Sequence, residues 1–155
     1  MNQKVNLSTY SLILSAICPI LLLVCLYYCG NNWGGYTIGM IIIAYMCLTL
    51  FYMPLKISAN ERELTIHRSL RIKSIPLSEI QRIELCAPTL AEKKLCASGG
   101  FFGYWGWFSE PSIGTYFAYY GKASDCFLIE LKNGKKYIIG CENAPDMVQY
   151  VSKRL

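Results

Sequence analysis

The sequence predicts a two-helix transmembrane hairpin followed by a small, mainly-β domain: about seven antiparallel strands capped by a C-terminal α-helix. Three observations predict it. Between Lys4 and Lys56 there is no Asp, Glu, Lys or Arg. Every acidic residue, and 14 of the 15 Lys and Arg, lies from Lys56 onward. That later part alternates polar and apolar residues in short runs and ends in one amphipathic stretch. An uncharged first third joined to a polar remainder excludes a simple soluble globule, a disordered chain and a large multidomain enzyme. The expected division is an N-terminal segment and hairpin over 1–54 and a polar domain over 55–155, large enough for a modest core.

The first span is expected over about 9–29 and the second over about 36–54. Each is close to the roughly 20 apolar residues that cross a bilayer. Pro19 lies inside the first and predicts a kink. Gly30-Asn31-Asn32-Trp33-Gly34-Gly35 is a short turn-forming link, so the spans are antiparallel neighbours. Tyr27, Tyr28, Trp33 and Tyr36 cluster there as an aromatic belt would. A cleaved signal peptide fits poorly, because the apolar run is long and no small-x-small site follows. Lys4 precedes the first span and Lys56 and Arg62 follow the second, while the link carries no positive charge. Both termini and the polar domain are therefore expected on the cytoplasmic side of the cell inner membrane, as a multi-pass protein. Eight cysteines without a C-x-x-C pair suit that reducing side.

In the polar domain, strands are expected at Leu55–Ile57, Glu63–His67, Arg71–Ile75, Gln81–Leu85, Thr115–Tyr120, Asp125–Leu131 and Lys135–Gly140. Residues 87–98 read as irregular. Asn133-Gly134 is the strongest hairpin signal, since both residue types tolerate positive φ. Asn143 or Ala144 caps a final helix with Pro145 in its first turn. Met147, Val148, Val151 and Leu155 form its apolar stripe, with Lys153 and Arg154 in its last turn.

This layout resembles a pleckstrin-homology-like (PH-like) barrel, and the residues resemble the bacterial membrane-anchored PH-like family. The matching stretches are ISANERELTIHRSLRIKSIPLSEIQRIE (57–84), GGFFGYWGWF (99–108) followed by Gly-x-x-x-Ala-Tyr (114–119), and LKNGKKYIIGCENAPDMVQYV (131–151). The resemblance implies a small curved β-sheet capped by a helix, a membrane anchor and no common catalytic activity. PH domains that read phosphoinositides use a basic loop between their first two strands. Here that loop, Ala59-Asn60-Glu61-Arg62, is short and mixed in sign, against specific inositol-phosphate recognition.

The Gly-aromatic run is the main candidate site: Phe101, Phe102, Tyr104, Trp105, Trp107 and Phe108. No Gly-Lys-Ser/Thr follows it, so it is not a phosphate loop, and its glycine spacing is not a dinucleotide fingerprint. Its rings have three readings: dipping into a membrane interface, forming a partner surface, or plugging the end of the barrel. Arg68, Arg71 and Lys73 are a candidate contact for an anionic surface; solvated faces are the plain alternative. The modest basicity and the lack of a recognition motif argue against nucleic acid. Cysteines 86, 96, 126 and 141 lack the close pairing of a zinc site, so no metal or cofactor is expected. His67 is expected on a polar strand face. Cys96 beside Lys93 and Lys94 is the sole, minor, enzymatic reading. The expected role is a non-catalytic membrane-anchored scaffold that recruits a protein partner. The alternative is a lipid- or small-ligand-sensing module.

Overall fold

A computed structural model describes all residues except 29–31 and 90–91, together with the side chain of Cys25 beyond description. Two long helices come first, α1 (Thr9–Tyr28) and α2 (Trp33–Tyr52). Both are long and apolar enough to cross a membrane. Helix α1 runs through Pro19 as one element. Helix α2 starts earlier than expected and stops at Tyr52, so Trp33–Gly35 are helical rather than linking. Cys29, the expected end of the first span, and residues 30–31 of the expected link lie outside the described residues. Gly35 and Gly39, one helical turn apart, are buried, and a Cβ at Gly39 would stand 2.9 Å from Cδ2 of Leu26 on α1. These two small residues let the helices approach closely.

Among the described residues, ten strands and a third helix make up the rest of the fold. Strands β1 (Asn2–Lys4), β2 (Pro54–Ala59), β3 (Glu63–Arg68) and β4 (Ile72–Pro76) form one antiparallel sheet in that order. A 3-10 turn at Leu77–Glu79 leads to the second sheet. Its members are β5 (Ile80–Leu85), β6 (Lys93–Gly100), β7 (Gly103–Glu110), β8 (Gly114–Tyr120), β9 (Cys126–Leu131) and β10 (Lys136–Gly140). Their spatial order is β5-β9-β10-β8-β7-β6.

Several expectations are corrected. The segment read as irregular contains β6, a full edge strand. The N-terminal residues form β1, with Lys4 paired to Lys56. The sheets are not wholly antiparallel: β10 runs parallel to β8, with Tyr137 opposite Phe117. Pro54, expected at the end of the second span, instead opens β2 and pairs with Arg68.

The main core lies between the two sheets and under α3 (Ala144–Ser152). It holds Ile57, Leu64, Ile66, Phe127, Ile129, Ile139, Met147 and Val151, all fully buried. The other face of the six-stranded sheet carries a second core of Phe108, Tyr116, Ala118, Tyr120, Leu128 and Ile138. Asn143 caps α3, its side chain accepting from the Asp146 backbone N–H at 3.3 Å. Lys153 and Arg154 lie just past the helix rather than in its last turn, and Leu155 is exposed. The Asn133-Gly134 signal holds: Gly134 has φ +78°, and its N–H donates to Leu131 O at 2.8 Å.

Candidate functional site

The Gly-aromatic run is neither a free loop nor a simple barrel plug. It forms the turn of the β6–β7 hairpin and most of strand β7, and the turn is docked on both long helices. The turn residue Phe102 has φ +52°, and its N–H donates to Ser15 Oγ of α1 at 2.8 Å. The Phe101 carbonyl accepts from Ser98 Oγ at 3.2 Å and from Trp105 Nε1 at 3.4 Å. Tyr45 of α2 stacks on Phe101 with centroids 5.6 Å apart, and its hydroxyl lies 3.3 Å from Ser98 Oγ. Tyr52, the last residue of α2, stacks on Trp105 at 5.1 Å. Each turn group named here thus has a partner from the hairpin or a helix, which is what backbone outside regular structure needs in apolar surroundings.

The helix rise of about 1.5 Å per residue converts these contacts to depth. Ser15 and Tyr45 lie about 10 Å along their helices from the ends nearest the domain. The turn therefore reaches about a third of the way along α1 and α2, while Trp105 is level with the end of α2. Phe101, Trp105 and Phe108 are buried, and Phe102 and Tyr104 half-buried. Trp107 is the exposed ring of the run, at 43%. It meets Phe117 edge-on at 5.2 Å, about 7 Å beyond Trp105 along the strand. A groove of about 690 Å³ opens between the helices, lined by Cys18, Leu21, Val24, Ile41, Met46 and Phe101 among others.

The second cluster sits where β3 turns into β4. Arg68, Arg71 and Lys73, picked out from sequence only as loosely grouped cations, come together here. The strand register pairs Ile66 with Lys73, and the Arg68 N–H donates to Arg71 O at 2.9 Å. This register puts all three on the side of the sheet that carries Leu64 and Ile66. The Arg68 guanidinium lies 5.7 Å from the ring centroids of both Tyr52 and Tyr119, and Nη1 is 3.5 Å from Tyr119 Oη. Arg68 Nε is buried and has no acceptor among the described residues. Lys73 Nζ donates to Tyr137 Oη at 2.9 Å, 4.3 Å from that ring's centroid. Burial pushes the Tyr119 hydroxyl up to about 12, against the opposing pull of Arg68.

A third cluster lies over the second core. Tyr120 donates to Glu92 Oε2 at 2.9 Å, and Thr89 to Glu110 Oε1 at 2.6 Å. Glu110 is almost wholly buried, and its Oε2 has no hydrogen-bond partner among the described residues. Burial raises the Glu92 carboxyl above its ordinary value, with Glu110 adding to the rise and the Tyr120 hydrogen bond opposing it. Burial likewise raises the thiols of Cys86, Cys126 and Cys141, the last to about 12. Cys96 is exposed on β6, across from Trp107. His67 is half-buried rather than on an open polar face, its Nε2 lying 2.8 Å from Ser58 Oγ. Among the described residues, no three His, Cys, Asp or Glu side chains gather as metal ligands.

Two sheets with a helix closing one end are the frame of a PH domain, and the family model for the bacterial PH domain matches residues 55–155. The chain belongs to the bacterial PH domain family. PH domains are in general binding modules. No curated protein and no solved structure matches the chain. In this PH domain, the loop between the first two strands of the matched region, residues 60–62, lies at the opposite end from the helices. Strand β2 carries the chain there from Pro54, about 20 Å away. The hairpin clamp and the Arg68 cluster both lie at the helix end.

Proposed function

We propose that the chain is a membrane-anchored, non-catalytic binding module that holds its PH domain in one fixed pose on the bilayer for a protein partner. The observation that carries this is the docking of the β6–β7 hairpin on α1 and α2. A domain hung from one helix by a flexible linker would sample many orientations. This domain follows α2 without a linker, since Tyr52 is helical and Pro54 is already in β2. The hairpin adds a second hold through Phe102–Ser15 and Phe101–Tyr45.

With α1 and α2 spanning the inner membrane, the hairpin turn would lie about 10 Å below the helix ends, within the apolar layer, and Trp107 at headgroup level, where Trp is favoured. The large apolar side chains exposed along both helices would face lipid. The far end of the domain would then point into the cytoplasm. Two open clefts flank Arg62 there, one reaching Tyr150 and the other Leu77, Lys132 and Arg154. Their mixed charge suits a polar protein surface rather than a lipid one.

Photo-crosslinking in intact cells tests this reading. A crosslinking residue in place of Glu61 should give a discrete protein adduct, and one in place of Trp107 should give lipid adducts. Protein adducts at position 107 alone, with none at position 61, would reverse the assigned pose.

A further inference from the structure

The four-stranded sheet gathers cations alone at one end, whereas its other end is mixed, with Arg62 beside Glu61 and Glu63. Lys4 and Lys56 face each other across β1 and β2, and Arg68, Arg71 and Lys73 surround the β3–β4 turn. All five lie within three residues of the strand ends nearest α1 and α2. The only acids of this sheet and its turns, Glu61 and Glu63, lie at the opposite end, about 20 Å away. The salt bridges among the described residues belong to Arg82, Lys122 and Lys136, so none of these five cations is paired to a carboxylate.

Within this group, three cations are in register. Arg68 and Arg71 face each other across the turn, and Lys73 is the diagonal neighbour of Arg68 on the same side. Like charges directly opposed across strands are unfavourable, and no carboxylate among the described residues pairs with them. Arg68 is nevertheless held in place by the rings of Tyr52 and Tyr119, with its buried Nε unmatched. Lys73 is held by Tyr137. A guanidinium held in place by two rings, beside an ammonium and a second guanidinium, presents the clustered positive charge that a phosphate takes. Because Tyr52 ends α2, this cluster is level with the end of a helix about 30 Å long, where headgroups would lie.

We propose that Arg68, Arg71 and Lys73 bind the phosphate of an anionic lipid headgroup, with Tyr52, Tyr119 and Tyr137 fixing the cations. The inference rests on the membrane-anchored reading and adds a ligand to it. The site is at the opposite end of the domain from the loop at 60–62.

The test uses full-length protein in nanodiscs of phosphatidylcholine with one part in five phosphatidylglycerol, followed by native mass spectrometry of the released protein. Wild type should retain one phosphatidylglycerol in preference to phosphatidylcholine. Each basic residue near a membrane surface contributes about 1 kcal/mol, so Arg68→Gln with Lys73→Gln should lower that preference on the order of twentyfold. Arg71→Gln, at an exposed position without a packing role, should lower it about fivefold without disturbing the fold. Lys132→Gln with Lys135→Gln, at the far end, should leave it unchanged. Equal retention by wild type and Arg71→Gln, both folded by circular dichroism, overturns the proposal. So does displacement of the lipid by 10 mM inorganic phosphate, which would make this a free-anion site. Release of the protein from membranes by alkaline carbonate would instead defeat the anchored reading itself.

Discussion

A methyl group on Gly100 would stand 2.7 Å from Cε1 of Tyr10, and the residue has φ +123°. Gly100 thus serves two needs at once, a backbone shape that L-residues rarely adopt and close approach of the hairpin to α1. Gly100→Ala is expected to destabilise the protein by about 1–3 kcal/mol, read as a lower midpoint of thermal unfolding in detergent. An unchanged midpoint would mean that the hairpin does not press on α1. Glu92 offers a residue-scale test through pH. Its carboxyl is raised above the ordinary 4.5, chiefly by burial. Below that ordinary value the group is neutral in both folded and unfolded chains, so no stability is lost. As pH climbs past it, the unfolded chain ionises first and the folded state loses stability until its own raised pKa is passed. Glu92→Gln keeps an acceptor for Tyr120 and removes the titration. The variant should lose less stability than wild type between pH 4.5 and 7, in unfolding midpoints taken across that range.

At the scale of elements, the hairpin turn depends on one hydroxyl. Ser15→Ala leaves the Phe102 N–H without its acceptor in apolar surroundings, a loss of about 1–3 kcal/mol. Ser15→Thr keeps the hydroxyl and should recover much of it, and equal stability of all three proteins would exclude a structural role for this bond. The elements that local pattern could reveal were those whose cause is local. The long helices follow from a charge-free stretch, α3 from Asn143, Pro145 and the Met147–Val151 stripe, and the β9–β10 hairpin from Asn133-Gly134. Strand β6 was hidden because Lys-Lys-Leu-Cys-Ala-Ser-Gly-Gly has no clean alternation and is held by its partner β7. Strand β1 is three residues long and exists only through pairing with β2, more than fifty residues later. The parallel β8–β10 pairing likewise carries no local mark. The Gly-aromatic run was legible as unusual, but its partners Ser15, Tyr45 and Tyr52 lie in helices that read simply as apolar spans. The spacing of Gly35 and Gly39 was a usable signal for the helix crossing. The register uniting Arg68, Arg71 and Lys73 was partly visible, since a tight turn near Ser69 places Arg68 opposite Arg71.

At the scale of the molecule, pairing and composition act on the same question. Strand β1 precedes α1 and β2 follows α2, yet the two are hydrogen-bonded neighbours, with Val5 N–H donating to Leu55 O at 3.0 Å. A chain that leaves a sheet through one helix and returns to it through the next must bring both helix ends to the same side. If α1 and α2 cross the bilayer, the N-terminal segment and the PH domain share one face, and the link near Asn32 lies on the other. Lys4 and Lys56 in register put paired positive charge on the domain's face, which the positive-inside tendency assigns to the cytoplasm. Single-cysteine labelling checks this, with buried Cys126 and Cys141 kept and the other cysteines replaced. In intact cells stripped of their outer barrier, a membrane-impermeant maleimide should modify Asn32→Cys directly. It should reach Ser78→Cys, on the exposed turn before β5, only after the membrane is opened. Labelling of both sites from outside would place link and domain on one side. That outcome is incompatible with two crossings, and it would turn the apolar faces of α1 and α2 into surfaces lying on the membrane rather than through it.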